Sequence, residues 1–167
     1  FNWAYGEKIN SDAEIDTNFL VSTLYTGFSE GYIIYVDDTM VSNDYNISVN
    51  MTRGDNTDDT MTLVGRYTDI NNFYGYRFSW HEGDMYKVVG GVYTLINSSC
   101  LVSGEPDNGD EVIFTITGST LEAYTDGVLR CTQTDTDLTT GTVGVGIGAN
   151  SYFTSDDAST QQLDDFN

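Results

Sequence analysis

From Asn46 onward, apolar and polar residues alternate in short runs separated by Gly, Asn and Asp, the period-two pattern of strands with one buried and one wet face. No helical period is sustained. The pattern predicts strands over 19–26, 31–36, 44–53, 60–68, 72–80, 84–89, 92–97, 110–117, 120–125, 128–133, 142–148 and 161–166. Short strands at this spacing predict an all-β, two-sheet antiparallel sandwich. The turns agree: Gly90-Gly91, Thr117-Gly118-Ser119 and Thr125-Asp126-Gly127 separate alternating runs, and Gly or Asp-Gly takes the positive-φ positions of tight hairpins. Stretches 54–59 and 103–109 read as loops, and 150–159 as a longer acidic one. With no internal repeat and no linker, residues 1–167 read as a single domain.

Parity within each run decides which side chains meet the core. Val112, Phe114 and Ile116 form the apolar set of their strand; Leu121 and Ala123 form that of the next, so Glu122 and Tyr124 point away. In MTLVGRYT, Met61, Leu63, Gly65 and Tyr67 share one face, with Thr62, Val64 and Arg66 opposite. NFYGYRFSW is ambiguous: Tyr74, Tyr76, Phe78 and Trp80 share one face and Phe73, Arg77 and Ser79 the other, so either can be the core side.

Composition and charge narrow the partners. The chain has 39% hydrophobic residues, 13% aromatics, 17 Gly and one Pro, a composition that folds. Its 26 Asp plus Glu against 6 Lys plus Arg give a formal charge of −20, which repels phosphate backbones and excludes nucleic acid as a partner. The same field favours neutral ligands and cations, and leaves room for calcium, which takes several oxygen ligands. No run of about 18 apolar residues offers a membrane-spanning helix. FNWAYGEKIN lacks the basic start and apolar stretch of a signal peptide, and a chain starting at Phe is expected to be a processed or excerpted piece.

Cys100 and Cys131 have no metal-ligand spacing. They are either a disulfide closing a loop of about 30 residues or two small buried hydrophobes. The sequons at Asn46, Asn50 and Asn97 matter only in a eukaryotic secretory pathway.

The succession NDYNISVNMT, LVGRYTDINNFYGYRF, MYKVVGGVYTLI, GDEVIFTITGSTLEAYTDGVLRCTQTDTDLTTGTVGVGIG and QQLDDF, over residues 44–166, resembles the laminin G-like domains of the concanavalin A-like lectin/glucanase superfamily. Within it stand R-Y-x-D followed by N-x-Y, L-x-A-Y-x-D-G, T-D-x-x-L-x-x-G-x-V-G and a closing D-D-F. The resemblance implies a jelly-roll of one convex and one concave sheet, with lectin ligands in the concave groove or on its rim loops. It further implies a structural calcium tying the last strand to a loop; Asp164 or Asp165, of which alternation lets only one face inwards, is the candidate ligand with Asp38, and Asp37, Glu30 and Asp156-Asp157 are the alternative partners.

Catalysis has little support. The laminarinase-type glucanases of this superfamily carry E-x-D-x-x-E on one strand, because alternation then points all three carboxylates into the groove. Glu14-Ile15-Asp16 begins that spacing, but Phe19 stands where the last Glu belongs. The only histidine, His81, lies in SWHEGD, which reads as a turn. A non-catalytic module that binds a glycan or cell-surface polysaccharide is the expected function, since sugar C–H faces stack on aromatic rings while hydroxyls pair with polar groups. The densest set is Tyr74, Tyr76 and Trp80 with Arg66; Glu122 and Tyr124, and also Tyr86 and Tyr93, join from neighbouring strands. The alternative is a structural domain of a virion or surface appendage, packed against neighbouring subunits. Either role places the chain outside the cell, on its surface or on a virion.

Overall fold

The computed structural model describes residues 3–8, 12–16, 19–23, 32–37, 42–52, 60–79, 83–100, 106–107, 109–148 and 161–164, and the side chains of 42–50, 61–79, 83–100, 106–107 and 109–146. The strands are β1 (Trp3–Lys8), β2 (Asp12–Asp16), β3 (Phe19–Thr23), β4 (Tyr32–Asp37), β5 (Tyr45–Thr52), β6 (Thr60–Asp69) and β7 (Asn72–Phe78). They continue as β8 (Gly83–Val89), β9 (Val92–Asn97), β10 (Glu111–Thr117), β11 (Thr120–Thr125), β12 (Val128–Thr134), β13 (Thr142–Gly148) and β14 (Gln161–Asp164). The first sheet has the order β1-β4-β13-β6-β7-β8-β9 and the second β12-β11-β10-β5-β14-β3-β2. All neighbours pair antiparallel. The described residues contain no helix, so the all-β two-sheet expectation holds.

The predicted strands correspond to β3 through β14. β1 and β2 are corrections, since no predicted strand covers residues 1–18. Both lie at sheet edges, each with a single neighbouring strand. Charge is tolerated at an edge and discourages further pairing there, which is why DAEID is a strand despite its three carboxylates.

Alternation builds the core. Ile47, Val49, Val112, Phe114, Ile116, Leu121 and Ala123 of the second sheet face Met61, Leu63, Tyr74, Tyr76, Phe78, Met85, Val143 and Val145 of the first. The ambiguity in β7 is thereby settled. The set 74, 76, 78 consists of three large rings, whereas 73, 75, 77 contains a glycine and an arginine, so the larger apolar volume goes inside. Tyr74 and Tyr76 are 0% and 1% exposed, and the expectation that they reach a ligand groove is corrected: they are core.

Strand β6 breaks the alternation once. Its register shifts against β7 between Gly65 and Asp69 and against β13 between Thr142 and Gly144. Arg66 has φ 50°, and the strand bulges there, with one extra residue against β13 and two against β7. The consequence is a second correction: Tyr67, expected on the same face as Met61 and Leu63, packs with the outer-face residues Val64 and Phe73. Arg66, expected opposite, turns to the end of the sandwich, where its guanidinium donates to the carbonyls of Leu138, Asn43 and Gly118. Gly141 fits against the bulge because a Cβ there would stand 2.8 Å from the Arg66 Cα.

Cys100 and Cys131 are bonded. The bridge ties β12, an edge strand of the second sheet, to the segment that follows β9, an edge strand of the first.

Candidate functional site

With the core on one side of the first sheet, the same parity assembles a second surface on the other. Three rows cross the strands there. In one, Thr62 of β6 lies opposite Arg77 of β7, which lies opposite Asp84 of β8. In the next, Val64 pairs with Gly75, Gly75 with Tyr86, and Tyr86 with Leu95 of β9. In the third, Phe73 pairs with Val88 and Val88 with Tyr93.

Aromatic rings link these rows into a ladder over four consecutive strands. Centroids are 6.0 Å apart between Tyr67 and Phe73, 6.0 Å between Phe73 and Tyr86, and 5.0 Å between Tyr86 and Tyr93, the last pair stacked. Glycine at position 75 makes room for it: a Cβ there would stand 2.7 Å from the Tyr86 hydroxyl oxygen. Phe73 and Tyr86 are 5% exposed, while Tyr93 at the far end is 50% exposed.

The polar row lies beside the ladder. Arg77 Nη2 donates to Asp84 Oδ2 at 2.5 Å, with the two side chains 23% and 13% exposed. The Thr62 hydroxyl is buried and has no hydrogen-bond partner among the described residues. On the adjoining strand β13, Gly146 and Gly144 lie opposite Thr62 and Val64, so no side chain rises there. This combination of ring faces, a guanidinium and a carboxylate suits a ligand with flat C–H faces edged by hydroxyls.

The residues expected to form one site are therefore divided. Tyr74 and Tyr76 fill the core, and burial raises both phenols, that of Tyr74 to about 12. Arg66 lies at the end of the sandwich. Glu122 and Tyr124 lie on the outer face of the second sheet, where the Tyr124 hydroxyl donates to Glu122 Oε2 at 2.7 Å, a bond that raises the Tyr124 pKa. They cannot join Arg66 or the β7 rings across one groove. Trp80, Asp38 and Asp165 lie outside the described residues, and Asp164 is placed only as the strand residue opposite Asn50. Among the described residues no group of three or more His, Cys, Asp and Glu is placed to hold a metal. Thr62, Phe73, Arg77 and Asp84 escaped the sequence reading as site residues. The available signal was Gly75, because a glycine inside an aromatic strand marks a face on which something approaches closely.

The sandwich end is built from several loops. Asn43, Asp44, Arg66, Gly118, Ser119, Asp135, Thr136 and Thr139 line a cavity of about 290 Å³. Its floor is fastened to the core: the Tyr74 hydroxyl donates to Asp135 Oδ1 at 2.6 Å and accepts the Leu138 amide at 3.0 Å. Lys87 pairs with both Asp135 and Asp137. Burial acts to raise the Asp135 carboxyl, but Lys87, Tyr74 and the Asp137 amide together hold it below its ordinary value.

No protein-family model and no curated protein matches the chain. Solved structures do. The carbohydrate binding module CBM66 from Bacillus subtilis aligns with TM-score 0.71 and 14% identity over 98% of this chain and 92% of that one. Bacillus licheniformis β-glucanase aligns with TM-score 0.61 and 12% identity, covering 98% and 89%. Sheep galectin-11 aligns with TM-score 0.56 and 11% identity, covering 80% and 95%. The fold is thus a jelly-roll sandwich of the concanavalin A-like kind; the laminin G-like subtype is not singled out by these likenesses.

Proposed function

We propose that this chain is a non-catalytic carbohydrate-binding module that holds a neutral glycan across the outer face of its first sheet. The observation that carries the reading is the placement, on that one face, of the Tyr67–Phe73–Tyr86–Tyr93 ladder beside the Thr62–Arg77–Asp84 row. The exposed end of the ladder at Tyr93 takes the sugar ring, and the partly exposed Arg77 and Asp84 of the polar row take hydroxyls. The outer face of the second sheet is a weaker candidate, since Asn46, Ser48, Thr115 and Glu122 make it mostly polar.

Four further points support this reading. A carbohydrate-binding module and a galectin share the fold. The charge of −20 disfavours acidic polysaccharides and leaves neutral ones. The carboxylate spacing of the laminarinase-type enzymes stops at Phe19. The Cys100–Cys131 bond suits an oxidising compartment, and thus a place outside the cell.

A glycan array identifies the ligand, and titration calorimetry on variants locates it. Tyr93→Ala is expected to fold as the parent does and to bind the selected oligosaccharide at least about tenfold more weakly, the equivalent of roughly 1.4 kcal/mol. Glu122→Gln, on the other sheet, is expected to bind normally. Parental affinity in a folded Tyr93→Ala protein, together with loss in Glu122→Gln, overturns the assignment. Release of reducing sugar from any bound glycan overturns the non-catalytic reading.

A further inference from the structure

We infer that the cavity at the end of the sandwich is a second binding pocket, separate from the sheet face, for one neutral polyhydroxylated molecule the size of a single sugar residue. Four chain segments far apart in sequence converge there: Asn43 and Asp44 before β5, the Arg66 bulge, the Gly118-Ser119 turn, and residues 135–139 after β12. Its volume of about 290 Å³ stands at the lower end of small-molecule pockets. The walls are held in place before any ligand arrives. Asp44 Oδ1 accepts the Gly118 amide at 2.8 Å, the Asp135 amide donates to the Ser119 carbonyl at 2.9 Å, and Tyr74 and Lys87 pin the loop from beneath. Such preorganisation lowers the entropic cost of binding.

The chemistry of the wall selects the class of ligand. Arg66 is 3% exposed; three backbone carbonyls accept from its terminal nitrogens, the Asp44 carboxylate lies at 3.8 Å, and its buried Nε has no partner among the described residues. A guanidinium so placed repels a metal ion or other cation. Asp44 and Asp135, in a chain of net charge −20, repel an anion. Ser119, Thr136 and Thr139 contribute hydroxyls that donate and accept, and among the described residues no aromatic ring lines the space for an apolar guest. A polyol, which donates to the carboxylate and accepts from the hydroxyls, is what remains. The inference rests on this geometry alone and stands whether or not the sheet face binds glycan.

Amide chemical-shift mapping of the whole chain tests it, with free glucose, galactose, mannose, fructose and inositol as neutral probes and sodium phosphate and calcium chloride as charged ones. At least one neutral probe is expected to shift the amides of Asp44, Gly118, Ser119 and Thr136 saturably, and the charged probes are not. Thr139→Trp, which fills the mouth from an exposed position, is expected to weaken that binding at least tenfold. Ser119→Val serves where Thr139→Trp melts abnormally, and Tyr93→Ala is expected to leave it unchanged. Absence of saturable shifts at these four amides with every neutral probe overturns the pocket, as do shifts with phosphate or calcium alone, or parental affinity in both pocket variants. Shifts confined to the Arg77 and Tyr93 region overturn the pocket while leaving the sheet-face reading intact; parental oligosaccharide affinity in a folded Tyr93→Ala protein, with the pocket shifts retained, does the reverse.

Discussion

Tyr86 occupies the space that any side chain at position 75 would need. Gly75 of β7 pairs with Tyr86 of β8, and a Cβ added to Gly75 would stand 2.5 Å from one ring carbon and 2.7 Å from the hydroxyl oxygen. One missing side chain thus lets the ring lie flat on the sheet, between Phe73 on one side and Tyr93 on the other.

Gly75→Ala is therefore expected to lift Tyr86 and break the ladder. Overpacking of this kind costs about 1–3 kcal/mol, and glycan binding at the sheet face should fall with it. Urea denaturation and calorimetry on the same protein check both; a variant as stable and as avid as the parent contradicts the role given to this contact.

Tyr76→Ala separates the core from the surface. Its ring lies 5.5 Å from Phe78 and 6.1 Å from Phe114 with 1% of the residue exposed, so the change should cost about 3–5 kcal/mol. Tyr93→Ala, at 50% exposure, should cost little stability. The two midpoints in urea, measured side by side, check the inward parity of β7.

Acid stability should depend on Asp135. Its folded pKa is depressed, despite burial acting the other way, by Lys87, Tyr74 and the Asp137 amide. A depressed carboxyl contributes stability that is complete above its unfolded value, about 3.9, and is lost as pH falls through the folded one. Asp135→Asn is expected to lower the melting temperature at neutral pH and to flatten its decline below pH about 4. A parallel decline in parent and variant would remove Asp135 from that role.

The alkaline side has the opposite sign. Burial raises the phenols of Tyr45 and Tyr74 from 10.0 to about 12. A raised acid contributes stability that is complete below its unfolded value and lost as pH rises through the folded one. Lys87, raised by its bonds to Asp135 and Asp137, has the same sign: its contribution is complete below its ordinary value of 10.5 and is lost as pH rises above it. Stability should thus decline from pH about 10 upward, and phenolate absorbance should show these tyrosines ionising only as the fold is lost. Ionisation of all twelve tyrosines at ordinary values in folded protein would refute it.

Removing the disulfide should be costly. The cysteines are 31 residues apart and 1% and 8% exposed. In the chain-entropy model a loop of that size is worth about 3–4 kcal/mol. Cys100→Ser/Cys131→Ser is expected to lose that much in urea, and the native bridge to resist mild reductant until the protein unfolds; ready reduction of folded protein would contradict its burial.

The sequence by itself determined strands β3 to β14 and their sandwich, because alternation and turn chemistry act over a few residues. The parity of β10 and β11 was equally legible, since only one of their two alternate sets is apolar throughout. It could not decide β7, where aromatic residues occur in both sets and the better fit appears only against a facing sheet. Nor could it place Arg66 and Tyr67. Their bulge exists through the pairing of β6 with two strands, one of them more than seventy residues later, and it redirects the two side chains that parity had assigned the other way. The Thr62–Arg77–Asp84 row and the end cavity were likewise decided by tertiary structure. Each is a set of residues distant along the chain, brought together by long-range register, and no local pattern encodes which distant residue will lie opposite.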